Sequence, residues 1–356
     1  MHKKLFIPGP TEVREDVRKA MDIPMFGHRM PETTILMDET VSKLKKLLFT
    51  DNFIIIGTCS GTGLMEAAVR NCVKKGALHT VCGAFSQRWA GISKSCNKNF
   101  EVLEYEWGKG ISVEDIEEKL KTNKFDALFL THNETSTGVM NPLKEVGEML
   151  RGYPDVILCV DAVSSMGGVE IKVDDWNIDV LITSSQKCLA LPPGLAIASV
   201  SEKAMNRSTE VEDKGYYFDF LEYKKYWDKA KQPPTTAALN LINALNYQLG
   251  KIINEEGIEN RFKRHKEMAE IVQNWGRENF ELFADERFLS LTVTCIKNTK
   301  GISIKGLNEE LSKRGAYISN GYGKLKELTF RIAHMGDLTV EEIKWVLGEI
   351  EDIIGL

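Results

Sequence analysis

Apolar and polar positions along the chain follow two rhythms. Between residues 53 and 200, short runs rich in Ile, Val, Leu and Ala alternate with longer segments of helical spacing. This predicts strands over residues 53–56, 80–83, 102–105, 127–131, 156–161, 180–183 and 196–200, with helices between most of them. Strands covered on both faces and joined by helical crossovers imply a mainly parallel sheet, the α/β class, in which ligands collect beyond the carboxyl ends of the strands. Upstream, Leu36, Val41, Leu44, Leu47 and Leu48 keep helical spacing with lysines on the other face, so a helix is expected over residues 33–50. PGPT (8–11) and FGHRMPE (26–32) punctuate the start and read as an arm or loop.

Past residue 200 the alternation loosens. A polar, aromatic stretch (214–228) and QPPTT (232–236) precede two long helical patterns, over 237–250 and 257–280, that read as a connector. Strands near 291–296 and 329–333 and helices near 305–314 and 340–354 complete a small α+β unit. The expected division is a large domain over residues 1–250, with an N-terminal arm over 1–32, and a small C-terminal domain over 251–356.

Composition narrows the function classes. The 356 residues, 43% hydrophobic and 27% charged, suffice for two domains with a large core. A net charge of -5 without a long basic run offers nothing to nucleic acid or an acidic membrane surface. No apolar run approaches the roughly 20 residues that span a bilayer, and the N-terminus lacks the apolar core of a signal peptide. Seven scattered cysteines with no CxxC pair read as reduced residues of a cytoplasmic protein. Small molecules are the expected partners.

The candidate chemistry sits at predicted strand ends. In IDVLITSSQKCLALPPG (178–194) an apolar run hands the chain to Gln186 and Lys187. A lysine just past a rigid strand end has its amine aimed at a fixed point, and desolvation there lowers its pKa toward the nucleophilic form used for a Schiff base. The plainer alternative is a lysine reaching into solvent. TCSGTGLMEA (58–67) leaves a strand, turns on glycines and enters a helix, so free amides with the Ser60 and Thr62 hydroxyls suit a phosphate. It is neither a Walker loop nor GxGxxG, and a capped strand-to-helix turn also explains it. VILCVDAVSS (156–165) ends an apolar run in Asp161, either a partner for a cationic ring nitrogen or a helix cap. LTHNETSTGVMNP (130–142) crowds His132, Glu134 and Thr135 at another strand end, within reach of a ring oxygen. Phe85, in CGAFSQRW, is core packing or a ring-stacking face. A phosphate cradle, an acid, hydroxyls, an aromatic and a lysine at one edge of one sheet match what pyridoxal 5'-phosphate requires.

In PGPTEV, GHRMPE, SGTGLMEAA, FLTHNETSTGV, VDAVSSMGG, DVLITSSQKCLALPPG and FRIAHMG, taken in order, the chain resembles the class V aminotransferases of fold type I, especially the alanine-glyoxylate and serine-pyruvate aminotransferases. The resemblance runs nearly end to end. It implies a ping-pong transaminase that moves an amino group from alanine, serine or aspartate to a 2-oxo acid such as glyoxylate or pyruvate. It makes Lys187 the Schiff-base lysine, Asp161 the partner of the pyridine nitrogen and Val163 the residue under the ring. Ser60, Gly61, Thr62 and Gln186 would hold the phosphate, Thr135 would bond near the ring oxygen, and Phe85 would stack where many relatives carry tryptophan. Arg331 would receive the substrate α-carboxylate, with the loops near Gly9 and Gly27 shaping specificity. Thr236 would reach the phosphate of a neighbouring subunit, which implies a homodimer with shared sites.

Two departures stand out. Pro233, Pro234 and Thr235 replace the tyrosine and histidines of many relatives, and Thr62 stands where some carry histidine. The rival within the superfamily is a cysteine desulfurase-like lyase, but Gln186 stands where desulfurases usually have histidine, and Cys295 lies in a β-branched run suited to a core strand. A non-catalytic protein keeping the fold is the rival from another class.

Overall fold

The computed structural model describes residues 2–356. In chain order the strands are β1 (Lys4–Phe6), β2 (Phe53–Gly57), β3 (Ala77–Val81), β4 (Phe100–Glu104), β5 (Ala127–Thr131), the short pair β6 (Asn133–Glu134) and β7 (Val139–Met140), β8 (Ile157–Asp161), β9 (Val180–Ser184), β10 (Ala196–Val200), β11 (Glu281–Leu282), β12 (Val293–Lys297), β13 (Ala316–Asn320) and β14 (Thr329–Ala333). Seven of them form one sheet in the order β2-β10-β9-β8-β5-β3-β4. Only β10 runs against its neighbours; the other pairings are parallel.

The continuous apolar runs have a simple cause. Successive side chains of a strand leave opposite faces. Leu128, Leu130, Leu158, Val160, Leu181 and Ile197 enter one core, beneath the helices Pro31–Leu48 and Leu239–Gly250. Ala127, Phe129, Ile157, Cys159, Val180, Ile182, Ala196 and Ala198 enter another, beneath the helix Gly61–Cys72. With both faces occupied, a polar residue inside a run would leave a buried group unpaired, at about 1–3 kcal/mol. The polar residues that concern the site stand where the runs stop: β5 ends at Thr131, β8 at Asp161 and β9 at Ser184. Because β2 and β9 both oppose β10, the carboxyl end of β2 lies at the same edge.

The second sheet has the order β1-β13-β14-β12-β11, antiparallel except for β1 against β13. It packs on the helices Ile258–Asn279, Ile304–Lys313 and Val340–Ile354 through Phe6, Trp275, Phe330 and Val346. Residues 4–6, placed by the sequence in an arm of the large domain, thus give this sheet an edge strand and its core the fully buried Phe6. Three residues are too few for a periodic signal. The aromatic stretch past residue 214 holds a helix, Phe220–Ala230, capped by the Asp219 carboxylate accepting from the Leu221 amide at 2.9 Å.

Candidate functional site

At the carboxyl edge of the large sheet the structure holds a cavity of about 230 Å³, lined by Ser60, Gly61, Thr62, Phe85, Thr135, Asp161, Val163, Gln186 and Lys187 among others. Every residue assigned to the cofactor from the sequence lines it except Thr236. Each is delivered by the end of a strand or the first turn of the following helix.

Ser60 caps the helix Gly61–Cys72 with an extended backbone, and its hydroxyl makes no capping bond. The first amides of a helix have no partner inside it, so they remain for a ligand together with the Ser60 and Thr62 hydroxyls. Gly61 is tied to this place. A Cβ there would come 2.9 Å from Val163 Cγ2 and close the gap between the helix start and the segment after β8.

Asp161 is buried, with one donor on its carboxylate, the Val163 amide at 2.9 Å. Burial pushes its pKa up to about 6, against the pull of that amide and with the Glu134 charge adding to the rise. Lys187 moves the opposite way. Burial pulls its pKa down to about 8, and the Arg331 charge adds to the fall. Its amine donates to the carbonyl of Pro8. Gly9 crosses the lysine so closely, at φ +124°, that a Cβ there would meet Lys187 Cδ, Cε and Nζ at 2.8–2.9 Å. Thr11 fastens the crossing: its amide donates to the Gln186 carbonyl at 3.1 Å and its hydroxyl to the Lys187 carbonyl at 3.0 Å. The PGPT segment is thereby the wall over the lysine.

The hydroxyl cluster after β5 divides in a way the sequence reading missed. Glu134 turns from the cavity and accepts from the Phe85 and Ser86 amides, the Ser86 hydroxyl at 2.9 Å, the Ser136 amide at 3.1 Å and the Ser136 hydroxyl at 2.6 Å. His132 bonds Ser165 Oγ at 2.9 Å, and burial pulls its pKa down to about 4. Asn133, between them, lines the cavity. Strand alternation sets Asn133 opposite Glu134 but does not say which of the two meets the cavity. Thr135 lines the cavity with its hydroxyl 2.6 Å from Ser164 Oγ.

Arg331 lies in the middle of β14, buried, reaching from the second sheet toward the first. Its Nε and Nη2 donate to the Asn320 carbonyl at 3.2 and 3.1 Å, and its Nη1 to the Thr135 carbonyl at 3.1 Å. A guanidinium has five N–H groups. Three are used, which leaves one on each Nη. Among the described residues no carboxylate lies within ion-pair distance of it. Thr236 is exposed and outside the cavity of its own chain, while Ala238 nearby donates to Thr58 Oγ1 at 3.1 Å. Cys295 is buried in β12 and burial pushes its thiol up to about 11, opposite to what a mobile nucleophile needs.

The cavity fits pyridoxal 5'-phosphate. Ser184 Oγ and both polar atoms of the Asn133 side chain are buried without a hydrogen-bond partner although they line it, a deficit that a polar ligand removes. The helix start suits the phosphate, the carboxylate of Asp161 a protonated ring nitrogen, and the amine of Lys187 an aldehyde.

Comparison with known proteins agrees. The family model described as aminotransferase class-V matches residues 19–323. An uncharacterized aminotransferase of Methanocaldococcus jannaschii is 43% identical over 98% of this chain and 92% of its own length. The L-aspartate–glyoxylate aminotransferase of Paracoccus denitrificans is 32% identical over 94% of this chain and 87% of its own length. The crystal structure of an alanine–glyoxylate aminotransferase from Nostoc superposes with a TM-score of 0.93 at 29% identity, covering 99% of this chain and 96% of that one.

Proposed function

The chain belongs to the class-V aminotransferases, enzymes that use pyridoxal 5'-phosphate, and from that premise we propose that it moves the amino group of alanine, serine or aspartate to glyoxylate or pyruvate in a ping-pong sequence. Glyoxylate as acceptor is supported by the activities for which the Paracoccus and Nostoc relatives are named. The observation that carries the reading is the pair Asp161, buried, and Lys187, half-buried, lining one cavity, with the carboxyl pKa pushed up to about 6 and the amine pKa pulled down to about 8.

The bound cofactor supplies an aldehyde and an electron-withdrawing ring. The protein's part is to hold and to move protons. The amides at the start of the helix Gly61–Cys72, with Ser60, Thr62 and Gln186, anchor the phosphate. Asp161 holds the ring nitrogen protonated: burial makes an isolated carboxylate there costly, and a cation opposite restores its charge. Asn133 and Thr135 stand near the ring oxygen, and Phe85 and Val163 cover the two faces. Lys187, with an amine pulled toward neutrality, carries the proton between the donor Cα and the cofactor. The two free N–H groups of Arg331 form a bidentate fork that takes the carboxylate of amino acid and oxo acid alike. Gly9 and the PGPT wall bound the space above Lys187.

The test is a half-reaction screen. Holoenzyme mixed with alanine, serine or aspartate should lose the cofactor absorbance without any acceptor present, and glyoxylate or pyruvate should restore it. Turnover that requires both substrates together would end the ping-pong assignment, and failure of glyoxylate to restore the band would end that acceptor.

The same reading includes a homodimer with shared sites. It is supported by the exposed Thr236 and by the exposed apolar side chains of Met25, Met30 and Ile35 on the segment that Arg29 ties to the Pro233 and Pro234 carbonyls. Hybrids of Thr236→Ala with Lys187→Ala should regain activity in the one site that carries neither change; hybrids that form and stay inactive would remove the shared site. Free cysteines, five of the seven buried, support the cytoplasm as the compartment. Among the described residues no helix is long and apolar enough to cross a membrane.

A further inference from the structure

The cavity is lined by one guanidinium, Arg88, to which the reading above gives no role. Arg88 follows Phe85 by three positions on the helix Ala84–Ser95, so the two share a face, and both line the cavity. Its Cζ lies 4.9 Å from the centroid of the Phe85 ring. Nη2 donates to the Tyr322 hydroxyl at 3.1 Å, which occupies one of its five N–H groups and leaves four. Among the described residues no carboxylate lies within ion-pair distance of Arg88.

Tyr322 explains where this cation sits. Its ring tilts against Phe85 with centroids 5.2 Å apart, and the Arg331 Cζ lies 5.6 Å from its centroid. One phenol therefore touches both guanidiniums, Arg88 through its hydroxyl and Arg331 through its ring face. That contact links Arg88 to Arg331, the cation assigned to the substrate α-carboxylate. Arg331 is buried and Arg88 is exposed, and among the described residues neither cation has a counter-ion. Of the two buried carboxylates at this edge, Glu134 is already surrounded by amides and hydroxyls, and Asp161, whose ionised form the Arg88 charge favours, is the partner proposed for the cofactor ring. A ligand with a single carboxylate satisfies Arg331 and leaves Arg88 unmatched; a ligand with two anions satisfies both.

We propose that Arg88, oriented by Tyr322, reads a second anionic group on the substrate, so that the preferred amino donor ends a short side chain in a carboxylate or a phosphate. This rests on the transaminase reading above and narrows its donor class. With the α-carboxylate on the Arg331 fork and the amine toward Lys187, the side chain is left to point at Tyr322 and Arg88.

The experiment measures the half-reaction of holoenzyme with aspartate, glutamate, phosphoserine, alanine and serine, for the wild type, Arg88→Met, Arg88→Lys and Tyr322→Phe. The wild type should favour the anionic donors, and comparing aspartate with phosphoserine tells carboxylate from phosphate. Arg88→Met should cut kcat/KM for the anionic donors roughly 10- to 100-fold, the loss expected for a charge-assisted hydrogen bond, and reduce alanine and serine far less. Arg88→Lys should restore part of the preference, and Tyr322→Phe should lose part of it. Calorimetric binding of the unreactive dicarboxylate maleate against acetate gives a readout free of turnover: the maleate advantage should vanish in Arg88→Met. An equal fall for all donors, or an unchanged ratio, would overturn the role of Arg88 while leaving the transaminase reading intact. If no donor of any class converts the cofactor, both fall together.

Discussion

Two buried carboxylates stand beyond neighbouring strands, Asp161 ending β8 and Glu134 just past the end of β5, and their surroundings are opposite. Glu134 is enclosed by the first turn of the helix Ala84–Ser95 and by Ser136, with amide and hydroxyl donors on both oxygens. Asp161 has the single Val163 amide, and burial pushes its pKa up to about 6. The first carboxylate is satisfied by the fold and stabilises it, holding the helix that presents Phe85 and Arg88. The second is left short of donors and is completed by a ligand. A buried acid with too few partners marks a binding function more reliably than burial alone.

The sharpest way to break this comparison is to remove the amine that shares the cavity with Asp161. Lys187→Ala should abolish turnover while the protein still binds cofactor phosphate, because the helix start and Asp161 do not depend on the lysine. Equilibrium dialysis and a turnover assay together decide it, and any retained transamination would sink the assignment.

Asp161→Asn should lower the rate about a hundredfold, since a neutral amide cannot keep the ring nitrogen protonated. In the apoprotein it should do the reverse of damage. The folded-state pKa of Asp161, about 6, lies above its ordinary 3.8, so the folded chain binds this proton more tightly. The stability this gives is present below about pH 4 and lost as pH rises through about 6. Apo Asp161→Asn should therefore be more stable than the wild type at pH 7–8, by at most about 3 kcal/mol, with the gap closing on acidification. A pH-independent difference in denaturation midpoint would mean that Asp161 is satisfied by the fold after all.

Glu134→Gln should show the smallest effect on the chemistry and a clear one on the fold. Its new amide would face donors with donors, at about 3 kcal/mol of stability, with turnover reduced only a few-fold through the displaced Phe85. A rate loss as large as that of Asp161→Asn, with an unchanged melting midpoint, would erase the distinction.

Much of the cofactor side was legible in the chain. Apolar runs such as ILCVD and VLITS announce a buried sheet, and the polar residues that close them, Asp161 and the Thr183–Lys187 corner, mark its working edge, because residues beside each other in sequence stay beside each other at a strand end. The order of seven family-like segments extended that reading to the whole fold.

The tertiary structure decided the rest. Which of His132, Asn133 and Glu134 faces the ligand depended on how a two-residue strand is turned, and no run that short carries a period of its own. The PGPT wall meets Lys187 across 179 positions, and Arg88 meets Tyr322 across 234. Contacts at such separations leave no local pattern, since they arise only when two sheets, each specified by its own short runs, pack their edges against one cavity. By itself the sequence determined most strands of the large sheet and the acid and lysine at their ends; packing determined the edge strand β1, the unheralded β13 and which side chains those ends would meet.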